Sequence, residues 1–305
     1  MRDHKFGAVA LIGPPNAGKS TLLNIAIGQK VAIVTPKPQT TRNRITGILS
    51  RPDAQVLFLD TPGIHRLPGT MNRLLLRSAW GALGSANTVC LVLDAVRYAD
   101  RPELLDRDMA PIGDRLLDMK VSLFTALNKI DEIKAKPKLL PLLEACASRL
   151  PSAEIHPVSA RTGEGVQDLL ERLIDSLPPG PAVYPEDELS TLPLRFLVSE
   201  IVREKLFLRM AQELPYHLAV EVEAWEDLAE KSLTRISVLI YVSQERYKGM
   251  VVGRQGSVLK SVGTQSRVEI EDMIERKVDL QLWVKVKKRW TENPSFMESL
   301  GLGSS

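Results

Sequence analysis

The sequence is poor in cysteine and in long apolar runs. Its 305 residues include only two cysteines, Cys90 and Cys146, which are too few for a disulfide framework. Cys90 lies in an apolar run and is predicted to be a core thiol. No apolar run approaches the ~20 residues that a helix needs to cross a bilayer, and residues 1–5 do not open a signal peptide. These absences predict a cytoplasmic protein in a reducing compartment, and they leave peripheral contact with a membrane open.

Excess charge is also scarce, since the formal net charge is only +3. So small a value does not by itself indicate a nucleic-acid partner, and local clusters of charge must decide. A chain of 305 residues suggests two domains. A proline-rich, acidic stretch marks the predicted boundary, which gives a first domain at 1–177, a linker at 178–192 and a second domain at 193–305.

The most informative stretch is GPPNAGKS at residues 13–20. It follows an apolar run at 8–12 that is typical of a buried parallel strand, and a helical pattern follows it at 21–27. A strand, a glycine-bounded loop, Lys-Ser and a helix in this order indicate a phosphate-binding P-loop. Lys19 is predicted to reach the β- and γ-phosphates, and the Ser20 hydroxyl to ligate Mg²⁺.

Strand and helix patterns alternate after the P-loop. Apolar segments predict a hairpin at 45–49 and 55–59 and buried strands at 89–94, 121–127 and 155–158. Helical patterns occupy part of 67–84, then 139–150 and the stretch from 166 onward. This alternation predicts an α/β, doubly wound sheet whose ligands bind at the carboxyl ends of the strands.

Two further motifs stand at predicted strand ends. In DTPG at 60–63, Asp60 is predicted to hold Mg²⁺ and the Gly63 N–H to contact the γ-phosphate. In NKID at 128–131, the Asp131 carboxylate can accept two hydrogen bonds from guanine that adenine cannot offer.

Four residues support the predicted guanine site. Asn128 can tie its loop to the P-loop, and Lys129 can lie along the base and ribose. Ser159 and Ala160 can supply a backbone N–H to the guanine carbonyl. Together with the P-loop, these motifs predict GTP or GDP with Mg²⁺ as the bound ligands.

The polar loop at 36–44 carries the remaining metal ligand. Thr41 is the candidate, with Thr40 as the alternative, because a hydroxyl there can coordinate Mg²⁺ only when a γ-phosphate is present.

Ile64 occupies the position at which Ras-like enzymes use a Gln to orient the attacking water. Since Ile cannot do so, we expect slow intrinsic hydrolysis that needs another group or a partner.

The second domain shows a different order of elements. The patterns predict a helix at 193–212, paired strands, two helices separated by the GRQG turn at 253–256, and a last strand at 278–286. The paired strands are expected at 217–224 and 233–242, and the two helices at roughly 245–252 and 256–275. The turn looks like the GXXG loop of a KH domain, which lets a nucleic-acid backbone approach closely.

Basic residues accumulate around this turn. Residues 244–290 contain eleven Lys or Arg and six Asp or Glu, which favours RNA. Trp283 and Trp290 are interleaved with the basic residues, and Trp283 is predicted to lie in the core rather than to stack on bases. The candidate RNA-binding residues are Lys248, Gly253, Arg254, Gln255, Gly256 and Lys260.

Taken together, these motifs make the chain resemble the Era family of P-loop GTPases. The resemblance also includes QTTR at 39–42 and three more specific strings in the second domain, SEIVREK at 199–205, ELPY at 213–216 and LWVKVK at 282–287. It implies a Ras-like P-loop GTPase domain joined to a smaller α+β, type II KH domain. It further implies binding to the 3′ end of small-subunit (16S) ribosomal RNA, a role in maturation of the 30S subunit, and some association with the inner membrane, with no stable oligomer required.

The candidate residues fall into three functional sets. The catalytic candidates are Lys19, Thr41 and Gly63, and the metal ligands are Ser20, Thr41 and Asp60. The nucleotide-binding candidates are Gly13, Asn16, Ala17, Gly18, Lys19, Ser20, Thr21, Asp60, Asn128, Lys129, Asp131, Ser159 and Ala160. The sequence leaves two main alternatives open, an RNA-binding scaffold with GTP as a structural ligand and a membrane-recruited signalling GTPase.

Overall fold

The computed structural model describes residues 4–64, 69–110, 112–210, 213–228 and 232–302. Within these ranges the strands form a six-stranded sheet and a three-stranded sheet. The strands of the larger sheet are β1 (Lys5–Ile12), β2 (Ile45–Arg51), β3 (Ala54–Asp60), β4 (Thr88–Asp94), β5 (Ser122–Asn128) and β6 (Ala153–Pro157).

The larger sheet has the strand order β2-β3-β1-β4-β5-β6. β2 and β3 form the predicted antiparallel hairpin, and the remaining pairs are parallel. Its central strands are apolar because helices cover both faces, so neither face needs polar residues. The carboxyl ends of β1, β3, β4 and β5 therefore meet at one edge, where the predicted motifs lie.

Seven helices accompany this sheet in the described residues. They are α1 (Lys19–Ile27), α2 (Thr70–Gly84), α3 (Ala95–Ala99), α4 (Glu103–Met109), α5 (Gly113–Leu117), α6 (Leu139–Arg149) and α7 (Val166–Asp175). One apolar core joins the sheet to α1 and α7, and a second joins its other face to α2, α3, α4 and α6. Cys90 is buried in the first core, where burial raises the pKa of its thiol to about 12. The short helices α3 to α5 lie in a stretch for which the sequence predicted no helix.

The segment between the two sheets follows the first one closely. Phe6 N donates to Pro178 O (3.1 Å), Gly180 N to His4 O (2.9 Å) and Ile48 N to Leu189 O (2.8 Å). We call the unit built on the six-stranded sheet the first domain. Because the connecting backbone is hydrogen-bonded to this domain, it fixes the point at which the next helix of the chain begins.

In the described residues, the second domain is the three-stranded sheet with four α-helices. Its strands are β7 (Leu218–Leu228), β8 (Leu233–Val242) and β9 (Lys277–Val286), and its helices are α8 (Leu194–Arg209), α9 (Glu245–Val252), α10 (Ser257–Ile274) and α11 (Pro294–Ser299). β7 and β8 are antiparallel, whereas β8 and β9 are parallel. Helices α8, α9 and α10 pack on one face. Helix α11, which the sequence did not predict, joins a small cluster with Leu74 of α2.

Two predictions in this domain need correction. The helix expected at 193–212 ends at Arg209, and residues 211–212 lie outside the described part. Trp283 is 56% exposed, whereas Trp290 is fully buried and donates its indole N–H to His217 O (3.0 Å). The even-numbered residues of β9 face the helices, so Trp283 projects from the opposite face of the sheet.

No helix in the described part of the chain combines the length and the apolar character needed to span a membrane.

Candidate functional site

The P-loop turns sharply between β1 and α1. Gly18, the residue before α1, has a φ of 97°, a left-handed conformation that favours glycine. A Cβ there would stand 2.1 Å from Asn128 Nδ2, so no side chain fits. The backbone therefore curves at the N-terminus of α1, where helix N–H groups and the helix dipole favour a phosphate.

Lys19 lies beneath this loop. Its ammonium donates to Gly13 O (3.1 Å) and Pro14 O (2.9 Å). Burial lowers the pKa of Lys19 to about 8, and the nearby Asp60 carboxylate acts in the opposite direction. A phosphate in the loop would favour the charged form of this ammonium, because an opposite charge stabilises it.

Three oxygen-bearing side chains from separate elements meet beside Lys19. Ser20 Oγ on α1 donates to Asp60 Oδ2 at the end of β3 (2.5 Å). Thr41 Oγ1 lies 2.8 Å from Ser20 Oγ and donates to Asp60 Oδ2 over 3.3 Å. Burial raises the pKa of Asp60 to about 6, although the charge of Lys19 and these hydrogen bonds lower it.

This oxygen set fits Mg²⁺. Asp60 Oδ1 is buried without a hydrogen-bond partner, and hydroxyl and carboxylate oxygens are the hard ligands that Mg²⁺ prefers. Mg²⁺ is commonly held by one or two carboxylates together with substrate phosphates rather than by a cage of protein ligands. The described residues accordingly contain no group of three or more His, Cys, Asp or Glu suited to a metal.

The geometry favours Thr41 over Thr40 as the third ligand. The Thr40 hydroxyl lies 2.6 Å from Thr35 Oγ1 and donates to Lys37 O (2.7 Å), so it faces its own loop. The Thr41 hydroxyl instead faces Ser20 and Asp60.

Gly63 lies directly against the P-loop. A Cβ on Gly63 would stand 2.7 Å from Pro15 Cα, so the close approach of these two loops requires glycine. The next residue, Ile64, donates its N–H to Gly13 O (3.0 Å). Its side chain is only 2% exposed and belongs to the apolar cluster that includes Ile12 and Ala79. Ile64 therefore packs in the core and presents no polar group to a water.

Asn128 joins three loops at the other end of the site. Its amide Nδ2 donates to Ala17 O (2.8 Å), and its Oδ1 accepts the N–H of Ala160 (2.8 Å). The Ala160 N–H is thus engaged by Asn128. Lys129 forms an ion pair with Asp94 at the end of β4.

The predicted guanine-reading carboxylate is held on both oxygens. Ser159 Oγ donates to Asp131 Oδ1 (2.7 Å), and Arg161 forms an ion pair with Oδ2. Burial acts to raise the pKa of Asp131, but the Ser159 hydrogen bond and the Arg161 charge outweigh it and hold this pKa below its usual range. The carboxylate is therefore kept ionised as an acceptor.

All these loops border one cleft of about 770 Å³, which is a suitable size for a nucleotide. The predicted residues that line it are Asn16, Gly18, Lys19, Ser20, Thr21, Thr41, Gly63, Asn128, Lys129, Asp131 and Ala160. The other predicted residues, Gly13, Ala17, Asp60 and Ser159, are buried behind this lining.

Sequence reasoning missed several residues of the cleft. Asp94, Arg97 and Arg161 line it, as do residues 33–36. Asp94 could have been found, since it ends a buried strand and ligands collect at such ends. Nothing in the sequence pattern singles out Arg161, because its contact with Asp131 depends on how two loops meet.

The second candidate site is the turn between α9 and α10. Gly253 and Gly256 both have a φ of 75°, and the exposed Arg254 and Gln255 lie between them. A groove of about 360 Å³ runs beside the turn, between α10 and β9, and Gly256 and Lys260 contribute to its lining. Lys248 is exposed on α9. Thr264 and Arg267, which the sequence analysis did not select, also line the groove.

Comparisons with known proteins cover both domains. The family described as 50S ribosome-binding GTPase matches residues 8–129, and the KH domain family matches residues 213–291. The chain is 51% identical over 300 residues to GTPase Era of Nitratidesulfovibrio vulgaris strain Miyazaki F, covering 98% of each protein. It is 48% identical over 299 residues to GTPase Era of Desulfovibrio desulfuricans, covering 98% of this chain and 97% of that protein.

Two solved structures match the fold of this chain over nearly its whole length. One is Era in complex with MgGDPNP and nucleotides 1506–1542 of 16S ribosomal RNA, with a TM-score of 0.90, 34% identity and coverage of 98% of this chain and 99% of that one. The other is a point variant of Aquifex aeolicus Era bound to GDP·AlF4⁻, with a TM-score of 0.91, 34% identity and the same coverage. These findings confirm the predicted fold class of a Ras-like GTPase domain followed by a KH domain. The chain therefore belongs to the Era family of GTPases.

Proposed function

We propose that this chain is a GTP-binding and GTP-hydrolysing switch that binds the 3′ end of small-subunit ribosomal RNA and assists maturation of the small subunit. The observation that carries the proposal is the single cleft in which a guanine-reading carboxylate and a Mg²⁺ ligand set lie together. The solved Era complex with MgGDPNP and a 16S ribosomal RNA fragment supports both halves of it.

The phosphate end of the cleft supplies the chemistry. Lys19 and the N–H groups of the P-loop bind the β- and γ-phosphates, and Gly63 contributes its N–H on the opposite side. Ser20, Thr41 and Asp60 would hold Mg²⁺, which neutralises negative charge on the phosphates when bound. Catalysis then depends on positioning and charge stabilisation, because no side chain at position 64 orients the attacking water.

The base end supplies selectivity. Asp131 accepts the N1–H and 2-amino hydrogens of guanine, whereas adenine offers no such pair of donors. Asn128 fixes the distance between the base loop and the P-loop through its two amide contacts. Lys129 covers the base and ribose.

The KH turn supplies the RNA contacts. Gly253, Arg254, Gln255 and Gly256 form the turn against which an RNA backbone lies, and Lys248 and Lys260 add phosphate contacts. The groove between α10 and β9 would take a few unpaired bases. Peripheral contact with the inner membrane and a monomeric state remain predictions, and liposome sedimentation without RNA tests the first of them.

The proposal is tested by binding to a single-stranded RNA that matches the 3′ end of small-subunit ribosomal RNA. The binding is measured with GDP and with GDPNP, each at two salt concentrations, because phosphate contacts make affinity depend on salt. We expect tight binding with GDPNP and weaker binding with GDP.

Each alternative function predicts a different result in this assay. Equal RNA affinity with both nucleotides would contradict the switch and favour the scaffold. Absence of RNA binding in both states, together with binding to acidic liposomes, would favour the membrane-recruited GTPase.

A further inference from the structure

One face of α8 lies against the loop that carries Thr41. Arg203, Glu204 and Phe207 of α8 contact this loop, and Glu200, which pairs with Arg203, lies on the same side of the helix. Glu204 Oε1 accepts the N–H of Val34 (3.0 Å). The second domain therefore contacts a loop that lines the nucleotide cleft.

Arg203 makes the contact nearest to the metal ligands. Its Nη2 donates to the carbonyl of Thr40 (2.5 Å), the residue directly before Thr41. The same guanidinium is held by Glu200, through Nε to Oε1 (2.7 Å) and Nη2 to Oε2 (2.5 Å). Arg203 is only 3% exposed. A buried bidentate pair of this kind has a fixed geometry, so it holds the Thr40 carbonyl at a defined position.

Arg42 makes the equivalent contact on the other side of Thr41. Its Nη1 donates to Leu218 O (2.7 Å) and its Nη2 to Pro215 O (2.9 Å), both in the second domain. The guanidinium groups of Arg42 and Arg203 lie over the same Phe207 ring, at 5.4 and 5.0 Å from its centroid. Burial lowers the pKa of Arg42 to about 9, and the charge of Arg203 adds to this effect.

Thr41 is thus fixed from both neighbouring residues. Its own hydroxyl makes no contact with α8 and faces Ser20 and Asp60. The residue before it is held at its carbonyl, and the residue after it is held through its side chain. A displacement of the second domain relative to the first would move both anchors, and with them the Thr41 hydroxyl.

We propose that Arg203, seated on Glu200, and Arg42 are positioning residues that place the Thr41 hydroxyl for Mg²⁺, so that the second domain sets the geometry of the metal site. This inference rests on the proposed function and adds a route by which it operates. By thermodynamic linkage, a ligand that changes the contact of α8 with the loop changes affinity at the metal site, and the reverse holds equally.

The competing explanation is that this buried cluster only stabilises the contact between domains. The two explanations differ in which nucleotide they affect. Thr41 is a ligand only when a γ-phosphate orders its loop, so a positioning role concerns GDPNP and spares GDP. A purely structural role would weaken both nucleotides together.

The test uses the full chain with the paired substitution Glu200→Gln and Arg203→Met. Arg203→Ala alone would leave the Glu200 carboxylate buried without a partner and could unfold the protein. The paired change removes both charges at similar volume. Arg195→Ala is the matched control, because Arg195 lies on the same helix but is exposed at its other end. Thermal melting checks that each variant is folded.

The measurement is the affinity for GDPNP and for GDP as Mg²⁺ is varied, by titration calorimetry. In the paired variant we expect the Mg²⁺ concentration for half-maximal GDPNP binding to rise about ten-fold, the lower end of the range for lost ligand-orienting partners. The affinity for GDP should stay within two-fold, and Arg195→Ala should behave like wild type. In a Thr41→Ala background the paired substitution should add nothing further, because the two changes act through one group.

An unchanged Mg²⁺ requirement in the folded paired variant would overturn the inference, as would equal losses of GDP and GDPNP affinity. The wild-type titration tests the proposed function separately. A wild-type chain that binds neither nucleotide would overturn the proposed function and, with it, this inference.

Discussion

The nucleotide cleft and the KH groove are built from opposite kinds of surface. The polar groups of the cleft, such as Lys19, Asp60 and Asn128, are buried and hydrogen-bonded to neighbouring loops. The polar groups of the groove, such as Lys260 and Arg267, are exposed. A buried polar group that loses its ligand stays unpaired, whereas an exposed one returns to water. Substitutions in the cleft should therefore have large effects and those in the groove small, salt-dependent ones.

The largest effect is expected for Lys19→Ala. Removing a buried ammonium that would contact the phosphates should weaken GTP affinity about 100- to 1,000-fold, the cost of truncating one partner of a buried charge pair. Lys138→Ala, whose ion pair with Asp100 is exposed, is the control and should bind GTP normally. Titration calorimetry with GTP and Mg²⁺ measures both. A loss below ten-fold for Lys19→Ala would contradict the expected difference between cleft and groove, since the cleft would then behave like an exposed surface.

The next effect is expected for Asp131→Asn, which changes the hydrogen-bonding pattern and leaves the size unchanged. The amide presents one donor where guanine also presents a donor, so GTP affinity should fall about 100-fold. Xanthosine triphosphate offers an acceptor at that position and should bind more tightly to the variant than to wild type. Asp114→Asn, an exposed acidic residue on α5, is the control. Competition binding with the two nucleotides measures the ratio of the affinities for GTP and xanthosine triphosphate. An unchanged preference for GTP in the variant would contradict the role of Asp131.

The same contrast explains how much of the cleft could be predicted from sequence. The P-loop, Asp60 and Asn128 each follow a strand, and local chain order fixes the geometry of such motifs. Arg161 and Arg97 were missed because their positions depend on how separate loops meet. The contacts of Arg42 and Arg203 on either side of Thr41 were missed for the same reason, since 161 positions separate the two arginines in the sequence.

The second domain shows where a correct pattern can still give a wrong orientation. β9 was predicted from its alternating apolar residues, and the strand is present. The prediction that Trp283 faces the core was wrong, because its neighbours on either side face the core instead. The face covered by helices includes Val278, Leu282 and Val284, which leaves Trp283 on the other side. A period of two tells which residues share a face, and only the packing helices decide which face is buried.

A smaller effect is expected in the groove for Lys260→Ala. Loss of one exposed phosphate contact should weaken RNA binding about three- to ten-fold at low salt and reduce the slope of log affinity against log salt by about one. GTP affinity should not change. The measurement is RNA binding over a salt series with GDPNP present, again with Lys138→Ala as control. If the loss reached 100-fold without any change of slope, Lys260 would be reading a base rather than a phosphate.

The smallest effect on turnover is expected for Ile64→Ala, although Ile64 lies beside the P-loop. Its side chain is buried in the core and offers no hydrogen bond to a water, so single-turnover GTP hydrolysis should change less than about three-fold, well below the usual effect of removing a catalytic donor. The free energy of unfolding should fall by about 2–4 kcal/mol, because the substitution leaves a cavity. Ile64→Val should lower the free energy of unfolding by about 1 kcal/mol and leave the turnover the same.

Hydrolysis of GTP by the wild-type chain should be slow without a partner. Fast unassisted turnover would show that another group already orients the water. Ile64→Val nearly keeps the shape of the core, so a large change of turnover in this variant would mean that position 64 takes part in the reaction in the cleft. The side chain of Ile64 could then no longer be treated as packing alone.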